Sequence, residues 1–300
     1  MRKLKTFAIS MIIAAIGLLV YCGGFYIKSY EQNLQARQSY EEIARMADYQ
    51  DKEKKPFQNE KKTKQNCLTE TNKNVHKKKK RKSSDNLKHS DCADKIRESF
   101  GISWENLRKI NSEVAAWITI PGADISYPVV QGMDDEYYLK HNFKKEEDLF
   151  GCIFLEHNNK KNFMGSHSIL YGHNIEGNMM FANLNRYEQP EFLEKCPEIE
   201  IKTPERKFLY KIFSIEQAGS QSAAFEYGYD LSSPAYKQQL ATLKENSMYE
   251  TGIEPDDSKP MVTLITCNSH LDKEIRMAVH GICYEITEED CEYPIDYMNN

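Results

Sequence analysis

A chain of 300 residues has room for two domains, but its charge divides it otherwise: residues 1–92 hold 20 Lys and Arg against 10 Asp and Glu, and residues 93–300 hold 20 against 35. A basic extension leading into one acidic domain of about 200 residues is the simpler reading, and such a domain can bury a full core. Eight cysteines without a C-x-x-C pair argue against a structural zinc site.

Residues 6–27 form an apolar run without a charge, preceded by Arg2, Lys3 and Lys5 and followed by Lys28. At helical rise it spans about 33 Å, enough to cross a bilayer's hydrocarbon core. The cations ahead of it predict a cytoplasmic N-terminus, with the rest of the chain outside the cell membrane. A cleaved signal peptide fits less well, because the run is long and no A-x-A-like site follows it. Lipidation at Cys22 is disfavoured by the bulky Tyr21 before it. The division expected is a cytoplasmic segment 1–5, an anchor 6–27, a short helix and lysine-rich tether 28–92, and a folded domain 93–300.

Within the tether, residues 38–49 (QSYEEIARMADY) read as a short helix. From 51 to 91 the chain is rich in Lys, Asn and Ser with almost no apolar side chains, a composition that does not offset the entropy of ordering. Its basic run 77–82 has the composition of a nucleic-acid patch, but the anchor makes a solvated spacer the better reading, and no nucleic-acid partner is expected. As a flexible chain of about 40 residues it would give a reach of about 35 Å.

Folded sequence resumes near Ala93. Ser103 is placed to cap a helix through Trp104, Leu107, Ile110 and Val114, which share one apolar face. The period then changes to that of strands: 117–120 and 125–130 about a Pro-Gly turn, then 152–155, 168–171, 198–202, 207–215, 261–266 and 275–285. Ser233 and Pro234 open a further helix to about 247. About eight strands with few helices fit a closed or nearly closed β-barrel.

Three segments carry chemistry. ILYGHN (169–174) breaks a strand at Gly172 and presents His173; TLITC (263–267) is a buried-type strand ending on Cys267; EIRMAVH (274–280) places Arg276 near the start of a strand. Each alone is weak. Together they have a logic: a thiol needs a base or a positive environment to supply thiolate. A histidine provides that and later protonates a leaving amine. A never-titrating guanidinium can stabilise the oxyanion of an acyl transfer. Tyr171, Asn174 and Thr266 are candidate supporting residues. His280, on the strand parity of Arg276 but about 13 Å along, reads as a satisfied strand histidine, and His270 as the internal rival to His173. His141 and His157 have no evident partner.

These segments, with ENLRKINSEVAAWITIPGADISYPVVQGMDDEYYLKHNF and GCIFLEHNN before them, resemble the class B sortases over roughly residues 100–286. The resemblance implies a mainly β fold, an eight-stranded sortase-type barrel with N-terminal helices and a helix-bearing insertion at about 217–260, before the nucleophile strand. It implies a membrane-anchored cysteine transpeptidase. In that family Cys267 would attack the carbonyl of a Thr in a C-terminal sorting signal, forming a thioacyl enzyme. His173 would protonate the departing amine, and Arg276 would steady the oxyanion. An amine of a peptidoglycan precursor would then take the secreted protein. The resemblance implies no metal or organic cofactor. The chain departs from the pattern after the cysteine: an acidic or other polar residue often follows there in class B, and this chain has Asn268-Ser269-His270, which puts a supporting carboxylate in question but not Cys267, His173 or Arg276. The rival readings are an L,D-transpeptidase-like or other wall-active cysteine enzyme, in which His, Gly, Cys and Arg crowd one short segment, and a non-catalytic anchored binding module.

Overall fold

The computed structural model describes residues 2–47, 98–175, 179–267 and 275–288. Most of the lysine-rich tether, His270 and the chain beyond 288 lie outside the described residues, as do the side chains of 2–10, 12–14, 98, 99, 175 and 267.

Helix α1 runs without a break from Arg2 to Met46. The expected anchor and the expected short helix are therefore parts of one element. Among the described residues no helix is long and apolar enough to cross a membrane, and much of the 6–27 run has side chains outside the description. The last turns of α1 bury Ala36, Tyr40 and Ile43, with Ala47 following. This is the 3–4 spacing of an amphipathic stripe laid on a larger body. The contact continues directly into the domain: Ser103 N–H donates to Ala47 O (2.7 Å) and Asn106 Nδ2 to Met46 O (3.0 Å). Since the chain leaves this helix and returns to the same place, the intervening residues do not set the distance between helix and domain, and the expected reach of the tether does not apply.

The helix after Ser103 is short, α2 (Trp104–Ile110), and Ser103 stands at its N-cap without a side-chain cap bond. Val114, expected on its apolar face, instead opens strand β1 (Val114–Ile120), because Asn111 breaks the helix and spends its amide on Tyr138 Oη and Phe143 O. The other barrel strands are β2 (Ile125–Val130), β3 (Ile153–Leu155), β4 (His167–Gly172), β5 (Glu198–Lys202), β6 (Arg206–Ala218), β7 (Met261–Cys267) and β8 (Arg276–Glu288). They close in the order β6-β8-β7-β4-β3-β2-β1-β5, an eight-stranded barrel as expected. A closed barrel leaves no unpaired sheet edge. Helix α3 (Pro190–Lys195) precedes β5, and α4 (Pro234–Glu245) lies in the segment between β6 and β7, its Ser233 cap accepting from Tyr236 N.

Strand alternation sorts the side chains into two cores. Val262, Leu264, Met277 and Val279 point into the barrel with Leu170, Ile199, Ile201 and Tyr210. Met261, Ile265, Ala278 and Ile282 point outward, where Tyr236, Leu240 and Leu243 of α4 cover them. With both faces buried, β7 reads as a continuous apolar run rather than an alternating one. A bulge between Ile212 and Ser214 lets Phe213 join the outer cluster while Ser214 Oγ donates to Leu243 O (2.5 Å).

Candidate active site

The three candidate residues stand at one end of three adjacent strands. Parallel pairing of β7 with β4 puts Thr266 beside Gly172, so His173 follows where Cys267 follows on its neighbour. Antiparallel pairing of β7 with β8 puts Cys267 opposite Arg276. Positions 261, 263 and 265 of β7 have the outward parity, the face covered by the insertion. Thr266 has the inward parity; its hydroxyl is buried with no hydrogen-bond partner among the described residues, so it does not join that outer face.

His173 is held tightly for a residue just past a strand. Its Nε2 lies 2.7 Å from Leu139 O, its carbonyl accepts from Phe181 N–H at 3.0 Å, and the ring packs on Gly151. A carbonyl can only accept, so Nε2 carries the proton and Nδ1 is the nitrogen left for chemistry. Gly172 is required by space: a Cβ there would stand 2.7 Å from Phe181 Cδ2. Asn174, half-buried, begins a short ladder in which it pairs with Met180. Tyr171 is half-buried against Phe154, ring centroids 5.3 Å apart. Burial, with Asp135 and Glu156 nearby, pushes its hydroxyl well above the usual phenol range.

Arg276 is half-buried, and its Cζ sits over the Phe225 ring at 5.7 Å from the centroid. Phe225 ends a single 3-10 turn, Ala223–Phe225, that is fastened at both ends. Ser222 Oγ donates to Glu216 Oε1 (2.5 Å). Gln239 Nε2 donates to Ala223 O (2.9 Å) and Glu226 O (2.7 Å), and His167 Nδ1 lies 2.5 Å from Glu226 O. Behind this turn runs a buried polar chain. His167 Nε2 meets Thr263 Oγ1 (2.6 Å), Thr263 Oγ1 meets His280 Nδ1 (2.8 Å), and His280 Nε2 faces Glu216 Oε1 at 3.5 Å, too long for a well-formed hydrogen bond. Burial drives the His167 pKa down to about 3. Burial raises that of Glu216, but His280, Ser222 and Asn246 outweigh it and hold the carboxyl below its ordinary value.

The other described cysteines are poor nucleophiles or lie away from this rim. Burial raises the Cys152 thiol to about 12, the Cys283 thiol to about 11 and the Cys196 thiol to a smaller degree. Cys22 is exposed on α1. All four are free thiols.

Of the remaining histidines, His141 stacks on Tyr137 at 3.9 Å, and His157 Nδ1 contacts Asp135 Oδ2 (3.0 Å) and Glu156 Oε1 (3.1 Å). Asp135, Glu156 and His157 are the described residues whose ligand atoms cluster closely enough, within 4.8 Å, to hold a metal ion. Their mutual hydrogen bonds, with Tyr227 Oη on Glu156 (3.2 Å), already give the set a structural role.

A family description, the sortase domain, matches residues 118–282, more than half of the chain. The chain belongs to the sortase family. Sortase B of Listeria monocytogenes is 29% identical over 177 residues, covering 59% of this chain and 72% of its own. The X-ray structure of Clostridium perfringens sortase B superposes with a TM-score of 0.56 at 28% identity, covering 60% of this chain and 99% of the other. A Staphylococcus aureus sortase B-substrate complex gives a TM-score of 0.57 at 27% identity, covering 61% and 85%. Within the sortase family the chain is of class B, and it is a cysteine transpeptidase. Sequence reasoning missed Leu139, Gly151 and Phe225 at this sortase site. The first two act through backbone atoms, which leave no mark in residue chemistry, and Phe225 sits in an insertion whose fold no periodicity announces.

Proposed function

We propose that Cys267 is the nucleophile of this transpeptidase, His173 its general acid and base, and Arg276 the donor to the oxyanion. The observation that carries this reading is the register: Cys267 faces Arg276 across one ladder, and His173 extends the neighbouring strand at the same end. Nδ1 of His173 first accepts the thiol proton. The thiolate attacks the carbonyl of Thr in a C-terminal sorting signal, and the guanidinium, whose charge does not titrate away, stabilises the tetrahedral oxyanion. Collapse expels the amine, which takes the proton from Nδ1 and leaves a thioacyl enzyme. An amine of the peptidoglycan precursor, deprotonated by the same nitrogen, then attacks the thioester and releases Cys267. The secreted protein ends attached to the wall precursor.

The same reading makes residues 6–27 a single membrane span, with the N-terminus cytoplasmic and the catalytic domain outside. Two observations support it. The run lies inside one unbroken helix, and the described apolar side chains on it, Ile16, Leu18, Leu19, Val20, Phe25 and Ile27 among them, are exposed around its circumference. A helix apolar all round is at home in lipid, not water.

The test is to incubate the full chain, and its Cys267→Ala variant, with sorting-signal peptides and an amine acceptor, following mass. Cleavage after Thr, an acyl adduct on the unaltered chain alone and transfer to the amine are expected. A folded protein with a reactive Cys267 that acylates on no peptide would overturn the assignment of roles.

A further inference from the structure

The loop that supplies the hydrogen-bond acceptor of His173 is gripped from its far side by α1. Tyr40, buried near the end of that helix, donates its hydroxyl to Gly151 O at 2.8 Å. Its ring stands edge-on to Tyr127 with centroids 5.4 Å apart. Gly151 adopts φ +56°, and a Cβ there would fall 2.5 Å from Tyr138 O, 3.0 Å from Leu139 O and 3.1 Å from His173 Cδ2. No side chain fits between this peptide and the imidazole. The residue that Tyr40 holds is therefore in direct contact with the His173 ring, and beside it Leu139 O accepts from Nε2. Cys152 N–H, bonded to Tyr138 O at 2.9 Å, closes the remaining side of the loop. Farther out, Glu42 pairs with Lys144 at 2.9 Å, joining the same helix to the same loop.

We propose that Tyr40 is a positioning residue for His173, and that the end of α1 is a working part of the catalytic domain. The hydroxyl fixes the Gly151 peptide, and the Gly151 peptide fixes one edge of the imidazole. The Leu139 carbonyl then selects the tautomer with Nε2 protonated and Nδ1 free for the thiol and the leaving amine. Small errors in placing such a group cost rate more than substrate affinity. Burial, with Cys152 beside it, holds the Tyr40 hydroxyl well above its ordinary pKa, so it stays a donor at any working pH. The inference rests on the catalytic role proposed for His173.

The test compares the full chain, solubilised in detergent, with Tyr40→Phe, which keeps the ring on Tyr127 and removes the hydrogen bond. Turnover is expected to fall about 3–10-fold with KM for the sorting peptide within about twofold, while labelling of Cys267 by a thiol reagent still proceeds. Independently of activity, 15N-histidine NMR should show His173 locked with Nε2 protonated in the unaltered chain and drifting towards a tautomer average in the variant. Glu42→Gln, at the surface of the same contact, should give a smaller change in the same direction, and serves should Tyr40→Phe fail to fold. Unchanged turnover together with unchanged His173 nitrogen shifts would overturn the proposal. A chain that turns over no peptide, yet shows the tautomer drift, would instead contradict the catalytic reading while leaving Tyr40's positioning role intact.

Discussion

The two faces of strands β7 and β8 solve different problems with alternate residues of the same sequence. The inward face, Val262, Leu264, Met277 and Val279, is held by apolar packing, which is strong but not directional. The outward face threads Thr263 and His280 between Met261, Ile265, Ala278 and Ile282 and ties the insertion down through His167, Glu216 and Gln239. Hydrogen bonds add little net stability each, but they fix position. His280 Nε2 and Gln239 Oε1 have no hydrogen-bond partner among the described residues, so the insertion is fixed by the bonds that His167, Ser222 and Gln239 Nε2 do make. The barrel needs only to be filled, whereas the insertion has to stand in one place, because Phe225 faces Arg276 from it.

Neighbouring residues on β7 give the sharpest way to break that contrast. Cys267→Ala should abolish transfer, a loss of about 10⁴-fold or more, with the thermal midpoint almost unmoved. Leu264→Ala, on the inward face, should do the reverse, costing about 2–5 kcal/mol of stability while the surviving folded molecules keep their turnover; denaturant unfolding beside an active-site titration separates the two. Acid should strike the outward face selectively. His167 has its pKa lowered to about 3, so between an unfolded value of about 6.5 and that point the unfolded chain binds a proton that the folded one refuses. Stability therefore falls with pH across that window, by up to about 1.4 kcal/mol per unit. Glu216, also lowered, is ionised and stabilising above its unfolded value and loses that contribution as pH falls, in the same direction. Melting curves from pH 7 to 3 should show the slope, and Glu216→Gln should make it shallower only below about pH 4.5, where the carboxylate's share is lost. Phe225→Leu should lower kcat/KM about 2–5-fold by removing the ring face under Arg276, measured at constant Cys267 reactivity. The smallest effect is Thr266→Val, which removes a buried hydroxyl that has no partner among the described residues. It should leave activity alone and raise stability by about 1 kcal/mol, and any loss of turnover would mean that the two faces are not separate.

Much of the barrel was legible in the sequence because its strands are short apolar runs bounded by turn residues. Residues 198–202 were placed to the residue, and 261–266 needed only Cys267 to be complete. The eight-stranded closure and the class B family follow the expectation. What failed to show was whatever depends on a partner distant in sequence. The periodicity that suggested Val114 on a helix face could not know that Asn111 is engaged by Tyr138 and Phe143. The apolar positions Tyr40, Ile43 and Ala47 mark an amphipathic stripe, but not what it packs on. Thr266, a candidate supporting residue, neighbours Cys267 in sequence, but a strand sends adjacent side chains to opposite faces. His157 has its partner Asp135 in another loop, 22 residues earlier.

The bond from Ser103 N–H to Ala47 O makes the chain between them a closed circuit. Closing such a circuit costs entropy that grows only with the logarithm of its length, about 0.6 kcal/mol per doubling. The insert could thus halve or double in length without shifting the height of the catalytic rim along the helix, which from Ile27 to Tyr40 is about 20 Å at helical rise. If residues 6–27 span a membrane, as proposed, working distance from the bilayer and length of the lysine-rich insert become independent variables, the first set by the helix and the second free to change.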